Sequence, residues 1–149
     1  MAIWQFTIFF VPKSGVSESF STDSLHDENG YFECADLWKR FPPQTDLLKV
    51  FGSTLGEVGC TRWESAGDTD YEIGLCDSDD ITYIRVRVDV RSFEVGELKR
   101  IIALAGISEC ALYLPEFNEL LQPSGEAVDT LQYFISKSKA KSWSRANES

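Results

Sequence analysis

The segment ITYIRVRVDVR, residues 81–91, alternates strictly between apolar and polar positions. Ile84, Val86, Val88 and Val90 point one way; Arg85, Arg87, Asp89 and Arg91 point the other. Period-two alternation with β-branched residues on one side predicts a strand with one buried face. The stretch from about Ile3 to Val11 has a different pattern. Trp4, Phe6, Ile8 and Phe10 share one face, while Ile3, Phe9 and Val11 share the other with Gln5 and Thr7. Apolar residues on both faces predict a strand internal to a sheet, ended by Pro12. Shorter strands are predicted at CTRWES, at DYEIGLC with Tyr71, Ile73 and Leu75 on one face, and at ECALYLP, which Pro115 ends. The intervening DSDD has hairpin-turn chemistry.

Helical spacing appears elsewhere. YFECADLWKRF predicts a short helix carrying Phe32, Leu37, Trp38 and Phe41, broken by the following prolines. QTDLLKVFGSTLGE predicts a second, with Thr45 as N-cap, Leu47, Leu48, Phe51 and Leu55 as its stripe, and Gly56 and Gly59 at its end. SFEVGELKRIIALAG predicts a third, capped by Ser92 and stopped at Gly106, with Leu98, Ile101, Ile102 and Ala105 inward. A last helix follows Ser124, with Val128, Leu131, Phe134 and Ile135 facing a core and a polar tail, 137–149, that frays. Between the first strand and first helix lies a long polar loop, KSGVSESFSTDSLHDENG. The predicted order is β-α-α-β-β-β-α-β-α. It implies an α+β fold with a mostly antiparallel sheet and helices packed on it. With no internal repeat or linker, residues 1–149 read as a single domain.

Composition narrows the function classes. The chain holds 43% hydrophobic residues, enough for a core, and its formal net charge is −10. A field of that sign disfavours nucleic acid and anionic membrane surfaces as partners and favours a basic one. No apolar run approaches the roughly 20 residues of a membrane span. The N-terminus lacks the basic region and small-residue cleavage site of a signal peptide, so it reads as the first strand. Cys34, Cys60, Cys76 and Cys110 form no C-x-x-C pair. They are expected to be reduced thiols of a cytoplasmic protein, with Cys60, Cys76 and Cys110 buried among apolar neighbours.

A search for catalytic chemistry finds little. There is no phosphate-binding glycine loop and no H-E-x-x-H pair. His26, the single histidine, sits in the polar loop and is expected to be a solvated surface group. An EF-hand counted from Asp68 fails, because its sixth position is Ile73 and its twelfth is Asp79. Lys137, Lys139, Lys141 and Arg145 near Trp143 fit cations at a helix C-terminus. No catalytic set, metal site or cofactor is expected, and the chain reads as non-enzymatic.

The stretch DTDYEIGLCDSDD holds Asp68, Asp70, Glu72, Asp77, Asp79 and Asp80 and no Lys or Arg. Acids at turns and on solvent-facing strand positions keep sheet edges unpaired. They also complement basic clefts. The compact length, the aromatic strand IWQFTIFF, and the unit ITYIRVRVDVRSFEVGELKRIIALA followed by CALYLPEFNELLQPS and a final helix are features of a known type. In these the chain resembles the small acidic immunity proteins of bacterial polymorphic-toxin and contact-dependent inhibition systems. The resemblance implies a cytoplasmic protein that binds and blocks a toxin domain, often a nuclease with a positive cleft. Its binding residues would be those six acids, with Asp23, Asp27 and Glu28 of the first loop as a second set. The rival is a small ligand-binding or enzymatic domain. Its pocket would be lined by Trp4, Trp38 and Trp63 near the Arg85, Arg87 and Arg91 strand face. Those arginines are otherwise expected to pair with the neighbouring acidic strand, at Glu72 or Asp89.

Overall fold

β-Branched and aromatic residues at every second position build the sheet. The computed structural model describes residues 4–16, 21–65 and 68–147, so Ile3 and part of the first loop lie outside the described residues. Seven strands form one sheet: β1 (Gln5–Pro12), β2 (Gly56–Gly59), β3 (Arg62–Ser65), β4 (Thr69–Leu75), β5 (Ile81–Asp89), β6 (Cys110–Leu114) and β7 (Glu119–Leu121). They lie in the order β2-β3-β4-β5-β1-β6-β7, and every pairing is antiparallel. Four α-helices accompany them: α1 (Ala35–Arg40), α2 (Leu47–Thr54), α3 (Val95–Ile107) and α4 (Ala127–Asn147). The fold is α+β, as the sequence pattern predicts, with β1 internal between β5 and β6.

Register aligns the apolar rows. Phe6, Ile8 and Phe10 lie opposite Val88, Val86 and Ile84, and Tyr71 and Ile73 of β4 continue the rows. All of these are fully buried. Helices cover this face: Phe51 of α2 sets its ring against Phe10, Trp63 and Tyr71. Leu98, Ile101 and Ala105 of α3 and Leu131 and Ile135 of α4 complete the core. Burying each such side chain contributes on the order of 1.5–3 kcal/mol. The opposite face of β1, β4 and β5 carries Gln5, Thr7 and Phe9 beside Arg85 and Arg87. It is only partly covered, where Phe32 of the loop stacks on Phe9 with ring centroids 3.8 Å apart.

Several local expectations change. β2 falls where the pattern predicts a helix end, and β7 falls in a stretch to which the pattern assigns no element. Neither run is long enough to show alternation, and Val58 of β2 is exposed. Asp46, not Thr45, caps α2, its Oδ1 accepting from the Lys49 N–H at 3.3 Å. α3 begins after Glu94, which makes no side-chain cap bond, instead of after Ser92. It passes Gly106 and ends before Glu109, which takes the left-handed φ of 55°. α4 runs on to Asn147, although the polar pattern from Lys137 predicts a frayed tail. The reason is a buried stripe that continues through Ser138 and Ser142, in register with Leu131 and Ile135.

Candidate functional site

The acid-rich stretch is strand β4 with a turn at each end, and the fold divides its carboxylates. Asp70 and Glu72 lie on the partly open face, directly across from Arg87 and Arg85 in the register. The Arg87 Nε–H donates to Asp70 Oδ1 at 2.9 Å. Glu72 Oε1 accepts from Arg85 Nη2 at 2.8 Å and from the Tyr83 hydroxyl at 2.6 Å, while Arg62 stands 3.7 Å from Oε2. Gly74 makes this possible, because a Cβ there would lie 2.1 Å from the Tyr83 ring. Burial and Glu72 push the Tyr83 hydroxyl above its ordinary pKa, so it stays a donor.

Asp77, Asp79 and Asp80 form the other group, in the exposed β4–β5 turn. The turn is closed by the Asp79 N–H donating to Cys76 O and the Cys76 N–H donating to Asp80 O, both at 2.9 Å. Asp79 holds a left-handed φ of 63°, a conformation Asp tolerates better than most residues. Ser78 Oγ donates to Asp80 Oδ2 at 2.9 Å. Among the described residues no cation stands within ion-pair distance of these three carboxylates. Beside the turn is a cavity of about 360 Å³ lined by Asp46, Asp79 and Asp80 together with Leu48, Leu75 and Ile81. Lys39 is its single cationic lining residue. Asp68 stands at the opposite end of β4, with φ 58° and Ser92 Oγ at 3.4 Å.

The second set of acids lies elsewhere. Asp27 Oδ1 is engaged by the backbone N–H groups of Asn29 and Tyr31 at 2.9 and 3.0 Å, and Asp23 and Glu28 are exposed. In the loop that carries them, His26 packs against the body of the protein. His26 is half-buried and not a solvated group: Nδ1 is 3.2 Å from Thr22 O and Nε2 is 3.3 Å from the Tyr113 hydroxyl.

The three tryptophans and three arginines of the ligand-pocket reading do not converge. Trp63 is buried on the helix-covered face, and Trp4 lies under the Arg91 guanidinium at 5.1 Å. Arg91 forks onto Asp89 with bonds of 3.1 and 2.9 Å, which holds the Asp89 carboxyl below its usual range. Only Arg85 and Arg87 share a cavity, of about 610 Å³, and it also touches Gln5, Thr7, Phe9 and Phe32. Among the described residues, no cluster of His, Cys, Asp and Glu has the make-up of a metal site, and no helix is long and apolar enough to cross a membrane.

The thiols divide as well. Cys34 and Cys110 are buried, and burial pushes both up to about 12. Cys60 and Cys76 are exposed, against the expectation that they are buried, because both sit in turns at strand ends. The Ser78 hydroxyl and the turn's backbone N–H groups lower the Cys76 thiol below its ordinary value.

One polar site has no counterpart in the sequence reading. Glu97, in the first turn of α3, is 2% exposed, and its carboxylate accepts from the hydroxyls of both Ser65 and Tyr71. Its signal was position: Glu97 lies four residues before Ile101, on the stripe that faces the core.

No known family model, curated protein or solved structure matches this chain.

Proposed function

We propose that the chain is a non-enzymatic binding protein that engages a basic protein partner through the β4–β5 turn. The partner fits the description of a toxin domain with a positive cleft, which the chain neutralises in the cytoplasm as an immunity protein does. One observation carries this reading. Asp77, Asp79 and Asp80 are exposed, have no cation within ion-pair distance among the described residues, and adjoin a cavity with both acidic and apolar lining in which Lys39 is the one cationic side chain. A lysine or arginine of a partner meets both needs there: its aliphatic stem lies on Leu48, Leu75 and Ile81, and its charge reaches the carboxylates. By contrast Asp70 and Glu72 already answer Arg87 and Arg85, so they contribute to the fold's own charge pairing before they contribute to any partner. Close charge pairs at interfaces couple by about 1.5–7 kcal/mol.

The test is capture from the source cell's lysate at low and high salt, comparing the wild type with an Asp77→Lys, Asp79→Asn, Asp80→Lys variant. Asparagine is chosen at 79 because it tolerates the left-handed backbone. A basic protein retained by the wild type, weakened by salt and lost by the variant supports the proposal. No partner at either salt, or equal retention by both proteins, overturns it.

A further inference from the structure

The partly open face of the sheet carries a second feature that the acidic turn does not use. The cavity of about 610 Å³ over β1 and β5 adjoins another of about 450 Å³, and the two share Phe9, Phe32 and Arg85. They form one trough along Phe9, Phe32 and Arg85, and each cavity by itself lies in the size range of small-molecule sites, about 300–1,000 Å³. One side is aromatic and held in place. Phe32 stacks on Phe9 at 3.8 Å and on Tyr113 at 5.7 Å, with interplanar angles of 15° in both pairs. The floor is set by register, which puts Thr7 beside Arg87 and Phe9 beside Arg85.

Hydrogen-bonding capacity is left over on this floor. Arg85 spends Nη2 on Glu72, but its Nε–H is buried with no partner among the described residues. Buried donors are nearly always satisfied, so an unmet one on a residue that lines both cavities points to an acceptor that reaches it from them. The Gln5 amide and the Thr7 hydroxyl also line the cavity, and neither makes a side-chain hydrogen bond among the described residues. Charge then selects the ligand. Both guanidinium groups are already paired, Glu116 also lines the cavity, and the chain as a whole carries −10. A further negative charge is opposed there, whereas an uncharged acceptor is not.

We propose that this trough binds a small, uncharged, planar aromatic molecule with an amide-type edge. Its ring lies along the Phe9–Phe32 wall, its carbonyl accepts the Arg85 Nε–H, and its N–H faces Thr7 or Gln5. The proposal stands independently of the protein-partner reading, because it uses none of the residues of the β4–β5 turn.

The experiment is an NMR titration of the full chain with benzamide, with benzoate and benzyl alcohol as comparison probes. Saturable shifts at Gln5, Thr7, Phe9, Phe32 and the Arg85 Nε–H are expected with benzamide. Benzoate should bind more weakly by about tenfold because of its charge, and benzyl alcohol by a similar factor because it lacks the amide edge. Arg85→Met should weaken benzamide by about tenfold. Because that change also releases Glu72, Thr7→Val provides a second variant that keeps strand propensity, and it should weaken binding a few-fold. Absence of saturable shifts at these residues overturns the proposal. So does benzoate or benzyl alcohol binding as tightly as benzamide, or undiminished affinity in both variants.

Discussion

Glu97 is a carboxylate held at 2% exposure, and two hydroxyls keep it there. Removing one donor leaves a buried acceptor short of a partner, which costs about 1–3 kcal/mol. Tyr71→Phe should therefore lower unfolding free energy by about that amount in urea titrations. In a Glu97→Gln background, where the acceptor is uncharged, the same change should cost less. The pH response also lives at this scale. Burial raises Cys34 and Cys110 to about 12 from 9.0, and burial with the Glu97 contact raises Tyr71 above 10.0. In each case the native state keeps a proton that the unfolded chain gives up. Stability from these groups is thus intact below pH 9 and is lost as pH rises beyond it. Denaturant midpoints should be flat from neutral pH to about 9 and fall above that. Substituting Cys34 and Cys110 with Ala should blunt the first part of the fall. In the sequence Glu97 is one of two acids, with Glu94, near the start of the predicted third helix. What the sequence did not show is that this turn faces Ser65 and Tyr71, since that depends on how α3 crosses the sheet.

At the scale of elements, legibility followed length. β5 and β1 announce themselves because each has enough alternating positions to separate a period of two from 3.6. β2 and β7 have four and three residues, too few to display any period, and the glycines of GEVG read as punctuation. α4 shows the opposite difficulty. Its second half is polar by composition, yet Ser138 and Ser142 are small enough to continue the buried stripe, and Ser138 Oγ donates to Glu116 at 2.9 Å. Trp143 then sets its ring edge against Trp4 at 6.4 Å, and Trp4 in turn lies under Arg91. This stack ties the last turns of the helix to the first strand. Trp143→Ala should remove an aromatic pair worth about 0.5–1.5 kcal/mol. Hydrogen exchange should then quicken over residues 139–147 while the amides of β1 and β5 keep their protection. Uniform acceleration throughout the chain would instead mean that α4 unfolds only with the whole molecule.

For the whole molecule, the question is what the negative charge is for. The mostly antiparallel character of the sheet was readable from the sequence, as was the pairing of its arginines with neighbouring acids, whereas the spatial order of the strands was not. The partition of the acids was not, because residues adjacent in sequence along β4 end up on the strand's face or in the turn beyond it. That partition separates two explanations that the sequence left entangled. If the charge serves only solubility, the turn acids are interchangeable with any others, and their loss lowers solubility without touching binding. If they steer a basic partner, their loss acts first on the association rate, which electrostatic complementarity raises by about 10–10³-fold. The Asp77→Lys, Asp79→Asn, Asp80→Lys variant moves the net charge from −10 to −5 and alters exposed positions alone. Its stability should stay within about 0.5 kcal/mol of the wild type, as for surface changes away from the core. Its association rate with a basic partner should fall at least about tenfold at low salt, and the rate's dependence on salt should flatten. Stopped-flow kinetics across a salt series reads both quantities. A dissociation rate that rises while the association rate holds would place the turn in short-range contact and not in steering. An unchanged rate pair would reduce the acidic turn to a solubilising cap, and the weight of function would pass to the trough over Arg85.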